Sequence, residues 1–256
     1  MNLLAALAEI FRRPIAHRGL HEAAQGAVEN SASAAQRAIA RGLAIECDVQ
    51  LSADGEAMVF HDFTLERLTG ANGRVDALPA RQLEQISLGG GEDRLMTFAA
   101  FLELVRGRAP VICEIKSRFD GDMRLGARAA AIASSAPGLV ALESFDPEVI
   151  AHLRAQAYAL AILHVPLGIV AMADFADADC PNLSVRRKQE LDAFLHWERT
   201  RPDFLAYRVD DLPHAAPYLC RAALNMPVMA WTVRTREQAA VGRAFADQLV
   251  FENDVL

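Results

Sequence analysis

Eight short apolar runs, separated by stretches with helical periodicity, constrain this 256-residue chain more tightly than any other feature. They are PIAH (14–17), AIECDV (44–49), PVICEI (110–115), LVALESF (139–145), LAILHV (160–165), FLAYRV (204–209), PVMAWTV (227–233) and DQLVFE (247–252). Each is short for a helix, many carry β-branched residues, and near-continuous apolarity marks strands buried on both faces of a parallel sheet. Ala- and Leu-rich stretches such as 31–42 and 121–134 lie between them. Strands alternating with helices in one domain of about 250 residues predict a (β/α)8 barrel of the TIM type. A doubly wound open sheet is the alternative. Residues 1–256 read as one domain, without a linker, repeat or low-complexity tract.

Two segments depart from the alternation. In QLSADGEAMVFHD (50–62), Asp54-Gly55 between apolar runs is a two-residue hairpin signal. A turn centred there sets Asp48 opposite His61, with Cβ atoms about 4.5–5.5 Å apart. Residues 63–109 are too many for a βα loop and predict an inserted subdomain or lid after the second strand, with the glycines of LGGGED (88–93) as a flexible turn.

The N-terminal stretch NLLAALAEIFR (2–12) is too short for a membrane span, which needs about 20 residues, and it is a poor signal peptide. Leu3, Leu4, Leu7, Ile10 and Phe11 are spaced for one helical face. Four residues follow the eighth run, too few for a closing helix. The stretch therefore predicts a helix covering the N-terminal end of the barrel, near the last strand and opposite the site.

A net charge of −7 argues against an electrostatic grip on nucleic acid, which needs a basic face. A small anionic substrate stays open if a bound divalent cation reverses the local field. Cys47, Cys113, Cys180 and Cys220 form no CxxC pair, so they read as buried reduced thiols, suited to a cytoplasmic protein without a transmembrane segment. Oligomeric state is not indicated.

Ionisable residues recur where the strands end. His17 closes the first run, Glu46 and Asp48 sit two apart on the second, and Glu114 and Lys116 repeat that spacing on the third. Residues i and i+2 of a strand share a face, and barrel chemistry gathers at the C-terminal rim. Three carboxylates meeting in an apolar setting call for a cation, and all-oxygen ligation suits Mg²⁺ or Ca²⁺. His17 stands out because HRG follows a strand directly, with Arg18 as a natural phosphate fork; His61 stands out through the hairpin. His21, His152, His164, His196 and His214 default to structural roles, with His164 less settled because it ends a run.

IAHRG (15–19), ENS (29–31), IECDVQLSADGEAMVFHDFTLERLTG (45–70), CEIK (113–116), SF (144–145) and AWTV (230–233) together resemble the glycerophosphodiester phosphodiesterases, in order across nearly the whole chain. The resemblance implies a TIM barrel with an insertion and one divalent ion. It implies metal ligation by Glu46, Asp48 and Glu114, acid–base roles for His17 and His61, and phosphate contacts from Arg18 and Lys116. Glu29 and Asn30 would help build the metal and phosphate site, and Trp231 would line the substrate rim. The implied reaction is hydrolysis of a small glycerophosphodiester to glycerol 3-phosphate and an alcohol, with the glycerol 2-hydroxyl as a possible nucleophile through a cyclic phosphate. Its alternatives are a lysophospholipase-D-like activity and a binding relative without catalysis. The chain departs from the family pattern at the extra His21, at Val28 in place of proline, and in FEND (251–254) at the last strand.

Overall fold

The computed structural model describes residues 2–175, 183–253 and 255. Its strands are β1 (Ile15–Ala16), β2 (Ala44–Leu51), β3 (Ala57–Val59), β4 (Met96–Thr97), β5 (Val111–Ile115), β6 (Val140–Ser144), β7 (Leu167–Ala171), β8 (Phe204–Arg208), β9 (Val228–Val233) and β10 (Gln248–Phe251). Eight of them run in the parallel order β1-β10-β9-β8-β7-β6-β5-β2, and β1 also pairs with β2, which closes a barrel. Helices cover its outside, so the (β/α)8 architecture is the one observed and the open sheet is excluded. Among the described residues no helix is long and apolar enough to cross a membrane.

The pleat sorts the side chains. Ile45, Cys47, Val49, Val111, Cys113, Ile115, Leu142 and Ile169 join the large core shared with the helices. Their alternate neighbours Ile15, Ala44, Ile112, Ala141, Val170, Ala206 and Val250 form a second cluster within the barrel. The inward rows change character along the strands, from Ala44 to Glu46 and Asp48, from Ile112 to Glu114, from Ala141 to Glu143. The apolar end is sealed and the ionisable end stays open.

Helix α1 (Leu3–Ile10) seals it. Asn2 caps its start, accepting from the Ala5 N–H at 2.9 Å. Leu7 and Ile10 are buried in the barrel-floor cluster, Phe11 meets Phe204 edge-on at 6.2 Å, and Gln248 on β10 donates to the Phe11 carbonyl at 2.9 Å. The helix thus lies at the N-terminal end beside the last strand, as its amphipathic pattern predicts. Leu4 is the exception: it is exposed, away from the buried face.

The fifth strand differs from expectation. Residues 160–165 form turns, and the strand is Leu167–Ala171, directly after Pro166. Gly168 obscures it in the sequence, yet a Cβ there would come within 2.3 Å of the Phe204 ring. A strand residue without a side chain is what that aromatic filler requires. His164 consequently sits beside Glu9 and Arg13 at the closed end and ends no strand.

The hairpin register is one residue off the expected one. Val49, Gln50 and Leu51 face Val59, Met58 and Ala57, and the Ser52 N–H donates to the Glu56 carbonyl at 2.9 Å. The loop is therefore the three residues Ala53-Asp54-Gly55, with Gly55 at φ 85°, a conformation that glycine adopts without penalty. Asp48 accordingly binds the Phe60 N–H through its carbonyl at 3.0 Å, and His61 falls one residue beyond the pair.

Past the hairpin the chain builds a small cluster of its own, with Met58, Phe60, Leu65, Val75, Leu83, Leu88 and Leu95 buried together. The glycines at 89–91 lie in a hydrogen-bonded turn, with the Leu88 N–H bound to the Asp93 carbonyl at 2.8 Å and the Gly89 N–H to Leu68 at 2.7 Å. The excursion ends with β4, earlier than residue 109. The next helix, Phe98–Val105, belongs to the barrel's outer layer, and its buried Phe98, Phe101, Leu102 and Val105 join the main core. Cys47, Cys113 and Cys220 are free and buried; Cys180 lies outside the described residues.

Candidate active site

The C-terminal mouth of the barrel collects the ionisable side chains. Carboxylate oxygens of Glu46, Asp48 and Glu114 lie within 4.8 Å of one another, the one such cluster among the described residues. Glu46 and Asp48 share the inward face of β2, and Asp48 is in register with Glu114 on β5. Asn30 clasps Asp48, donating to its carboxylate at 2.8 Å and accepting its N–H at 3.1 Å. The Arg18 N–H donates to Glu46 at 2.9 Å. Arg18 and Asn30 both hold positive φ, 54° and 58°; such non-glycine strain concentrates at functional sites.

Two cations balance part of this charge. Lys116 Nζ lies 2.7 Å from both Asp48 and Glu114, and Arg18 Nε lies 3.2 Å from Asp48. Burial, with Asp48 and Glu114 alongside, pushes Glu46 well above the usual carboxylate range. Asp48 moves the other way: burial would raise it, but Lys116 and Arg18 hold it far below that range. Lys116 is raised despite burial because Asp48 and Glu114 flank it.

Both histidines stand at this mouth. His17 Nδ1 is 2.6 Å from Glu252, which Arg234 also grips at 2.7 Å, while its Nε2 lies 3.8 Å from Glu46. Burial lowers His17 to about 4, partly offset by Glu252. His61 Nδ1 is 2.6 Å from Asp62, and Arg67 binds Asp62 at 2.6 Å. Arg67 also reaches Glu29 at 2.7 Å, and Glu29 in turn accepts from Arg18 at 2.7 Å.

Two adjoining cavities open here. One of about 220 Å³ is lined by His17, Arg18, Glu46, His61, Glu114 and Lys116, over a floor of Val170, Ala206 and Val250. A wider one of about 580 Å³ shares His61, Glu114, Lys116 and Phe145 and adds Phe63, Phe119 and Met172. Trp231 borders both, edge-on to Phe145 at 5.4 Å.

Nearly every residue singled out in the sequence thus converges. Glu29, Asn30 and the fully buried Asp48 line neither cavity; Glu29 and Asn30 hold Arg18, Arg67 and Asp48 from behind. Sequence reasoning missed Asp62, Arg67, Glu143, Arg234 and Glu252. Asp62 and Arg67 lie inside the quoted hairpin motif, and Glu143 and Glu252 end strands, where barrel chemistry gathers. His21, 3.9 Å from Glu252, also borders the site.

A closed parallel barrel with a buried carboxylate cluster, two cations and two histidines at its C-terminal mouth defines a class built to handle an anionic substrate. The particular family is shown by sequence: residues 17–252 match the glycerophosphoryl diester phosphodiesterase family, and the chain belongs to it. A glycerophosphodiester phosphodiesterase of Caldanaerobacter subterraneus subsp. tengcongensis is 34% identical over 111 residues, a match spanning 40% of this chain and 44% of that relative. The fold resembles an Oleispira antarctica phosphodiesterase solved with the product sn-glycerol-3-phosphate, with TM-score 0.74 and 18% identity over 96% of this chain and 94% of that one. It also resembles a glycerophosphodiester phosphodiesterase of Thermotoga maritima, with TM-score 0.69 and 21% identity over 94% of each chain.

Proposed function

We propose that this chain hydrolyses glycerophosphodiesters to glycerol 3-phosphate and an alcohol in a metal-dependent reaction. The observation that carries the reading is the convergence of Glu46, Glu114, Arg18, Lys116 and both histidines on one small cavity, with Asp48 clustered against the two glutamates. Glu46, Asp48 and Glu114 offer only oxygen, the donor hard cations prefer, so these three would hold one Mg²⁺ or Ca²⁺. The upward push on Glu46 comes first from burial and then from the charges of Asp48 and Glu114, and a cation among the three carboxylates would relieve both. A divalent ion there supplies Lewis-acid polarisation of the phosphoryl oxygens.

Arg18 and Lys116 bind the phosphate charge, the guanidinium as a fork and the ammonium as a point charge. His17 lines only the smaller cavity and takes the proton from the attacking hydroxyl, either a water or the substrate's own 2-hydroxyl, in which case a water then opens the cyclic phosphate to glycerol 3-phosphate. His61 borders both cavities, where the alcohol departs, and protonates the leaving oxygen. Residues 1–256 act as one phosphodiesterase unit, with the excursion after β3 as a side wall. A cytoplasmic setting fits the three buried free thiols.

Lysolipid hydrolysis is a second reading, favoured by the aromatic lining of the wider cavity. Against it, the large apolar side chains of the excursion turn inward to their own cluster. The test is product analysis with glycerophosphocholine, glycerophosphoethanolamine, glycerophosphoglycerol and a lysophosphatidylcholine, each with Mg²⁺, Ca²⁺ or EDTA. Glycerol 3-phosphate and free alcohol, formed only with metal, are the expected result. Release of phosphocholine and glycerol, or turnover undiminished in EDTA, would overturn the reading.

A further inference from the structure

Glu143 is a fourth inward carboxylate that the reaction described above does not use. It sits on β6 in register with Glu114, is 3% exposed, and lines the smaller cavity. Among the described residues its Oε2 is buried without a hydrogen-bond partner, and the influences on it are burial and neighbouring charges, with no hydrogen bond among them. Every other carboxylate here has partners: Glu46 the Arg18 N–H, Asp48 Asn30, Glu114 Lys116 and Glu252 His17. Nor does Glu143 belong to the three-carboxylate cluster whose oxygens share one point. A buried carboxyl without a partner is unfavourable unless something else supplies the hydrogen bond. The cavity it faces has an otherwise apolar floor of Val170, Ala206 and Val250.

We propose that Glu143 is the receptor for the terminal hydroxyl of the substrate's glycerol, and so a specificity-determining residue. The inference rests on the phosphodiesterase reading. A polyol entering this cavity brings hydroxyls that an apolar floor cannot satisfy. The 2-hydroxyl lies next to the phosphoester and is met by the histidines and the carboxylate cluster. The terminal hydroxyl is the group left without a protein partner, and Glu143 is the carboxyl left without a ligand. Sites built to hydrogen-bond a hydroxyl discriminate strongly against analogues lacking it, because their own polar group is then stranded.

The experiment compares kcat/KM for glycerophosphocholine and for the propane-1,2-diol analogue, which keeps the 2-hydroxyl and lacks the terminal one. It uses wild type, Glu143→Gln and Glu143→Met in saturating Mg²⁺. Wild type should prefer the glycerol diester by roughly 10- to 100-fold. Glu143→Gln, which can still donate and accept, should keep a preference, and Glu143→Met should bring the ratio to about one. A ratio unchanged in Glu143→Met, including an equal fall on both diesters, would overturn the assignment. Should Glu143→Met fail to fold, the wild-type ratio decides by itself: equal turnover of the two diesters is the overturning result. Wild type inactive on both would instead sink the phosphodiesterase reading.

Discussion

The two histidines are mounted by the same device in two different regions. His17 ends β1 in the barrel wall, its side chain 11% exposed; His61 follows the hairpin, 31% exposed. Each directs Nδ1 at a carboxylate 2.6 Å away, and an arginine at the rim steadies that carboxylate, Arg234 behind Glu252 and Arg67 behind Asp62. Such a partner fixes the ring's orientation and tautomer and leaves Nε2 for chemistry. The difference is how far apart in sequence the parts lie. Asp62 adjoins its histidine, whereas Glu252 is 235 residues from His17 and reaches it only because β10 pairs with β1 and closes the barrel. One mount is a local motif and the other a product of topology.

The largest effect should come from removing either ring. His17→Ala and His61→Ala should each lower turnover roughly 10²–10⁴-fold, with the far-ultraviolet circular dichroism preserved. Because the two act in one reaction, the double variant should lose far less than the product of the singles. Wild-type turnover in His17→Ala would remove it from the reaction and leave the comparison without meaning.

The mounts themselves come next. Glu252→Gln and Asp62→Asn keep the shape and remove the charge, and changing such an orienting partner lowers activity about 10- to 100-fold. The effect should be larger for Glu252→Gln, since water reaches the half-exposed surroundings of His61 more readily than the buried His17. Equal effects on kcat would show that burial does not separate the two mounts. A smaller effect belongs to the hairpin that carries His61. Gly55→Ala places a Cβ at φ 85° and should destabilise the protein by about 1 kcal/mol, measured by urea denaturation, with KM and kcat nearly unchanged.

This contrast also explains what could be read from the chain beforehand. Seven of the eight barrel strands overlap apolar runs, because both faces of each are buried; the fifth escaped because Gly168 yields its space to Phe204, a contact formed across strands. Glu46, Asp48, Glu114 and Lys116 stand out as charged residues at i, i+2 spacing at the ends of apolar runs, and His17 through the HRG that follows the first run. The hairpin slipped by one residue because Asp-Gly serves two-residue and three-residue turns alike. Glu252 carried no local signal of its partner, and Glu143 looked like one more strand-end acid. Those two need the closed ring of strands before their neighbours exist.

A pH dependence of stability is the remaining effect that the buried mount should show. Burial is the main cause of His17's fall from 6.5 to about 4, reinforced by Arg18 and opposed by Glu252 and Asp48. As pH drops below 6.5, the unfolded chain therefore takes up a proton that the folded protein refuses until about 4. Stability from this residue is fully present above pH 6.5 and is lost progressively toward pH 4. Between pH 7.5 and 5 the loss amounts to about 2 kcal/mol. His17→Asn removes the titration, so its urea midpoint should fall less than that of wild type over the same interval, with EDTA present throughout to keep cations off the carboxylates. Stopping at pH 5 keeps Glu252 ionised in the folded protein, since its bonds from His17 and Arg234 hold it at about 2 against the upward push of burial. Parallel pH profiles for the two proteins would mean that His17 is no harder to protonate when folded than when unfolded.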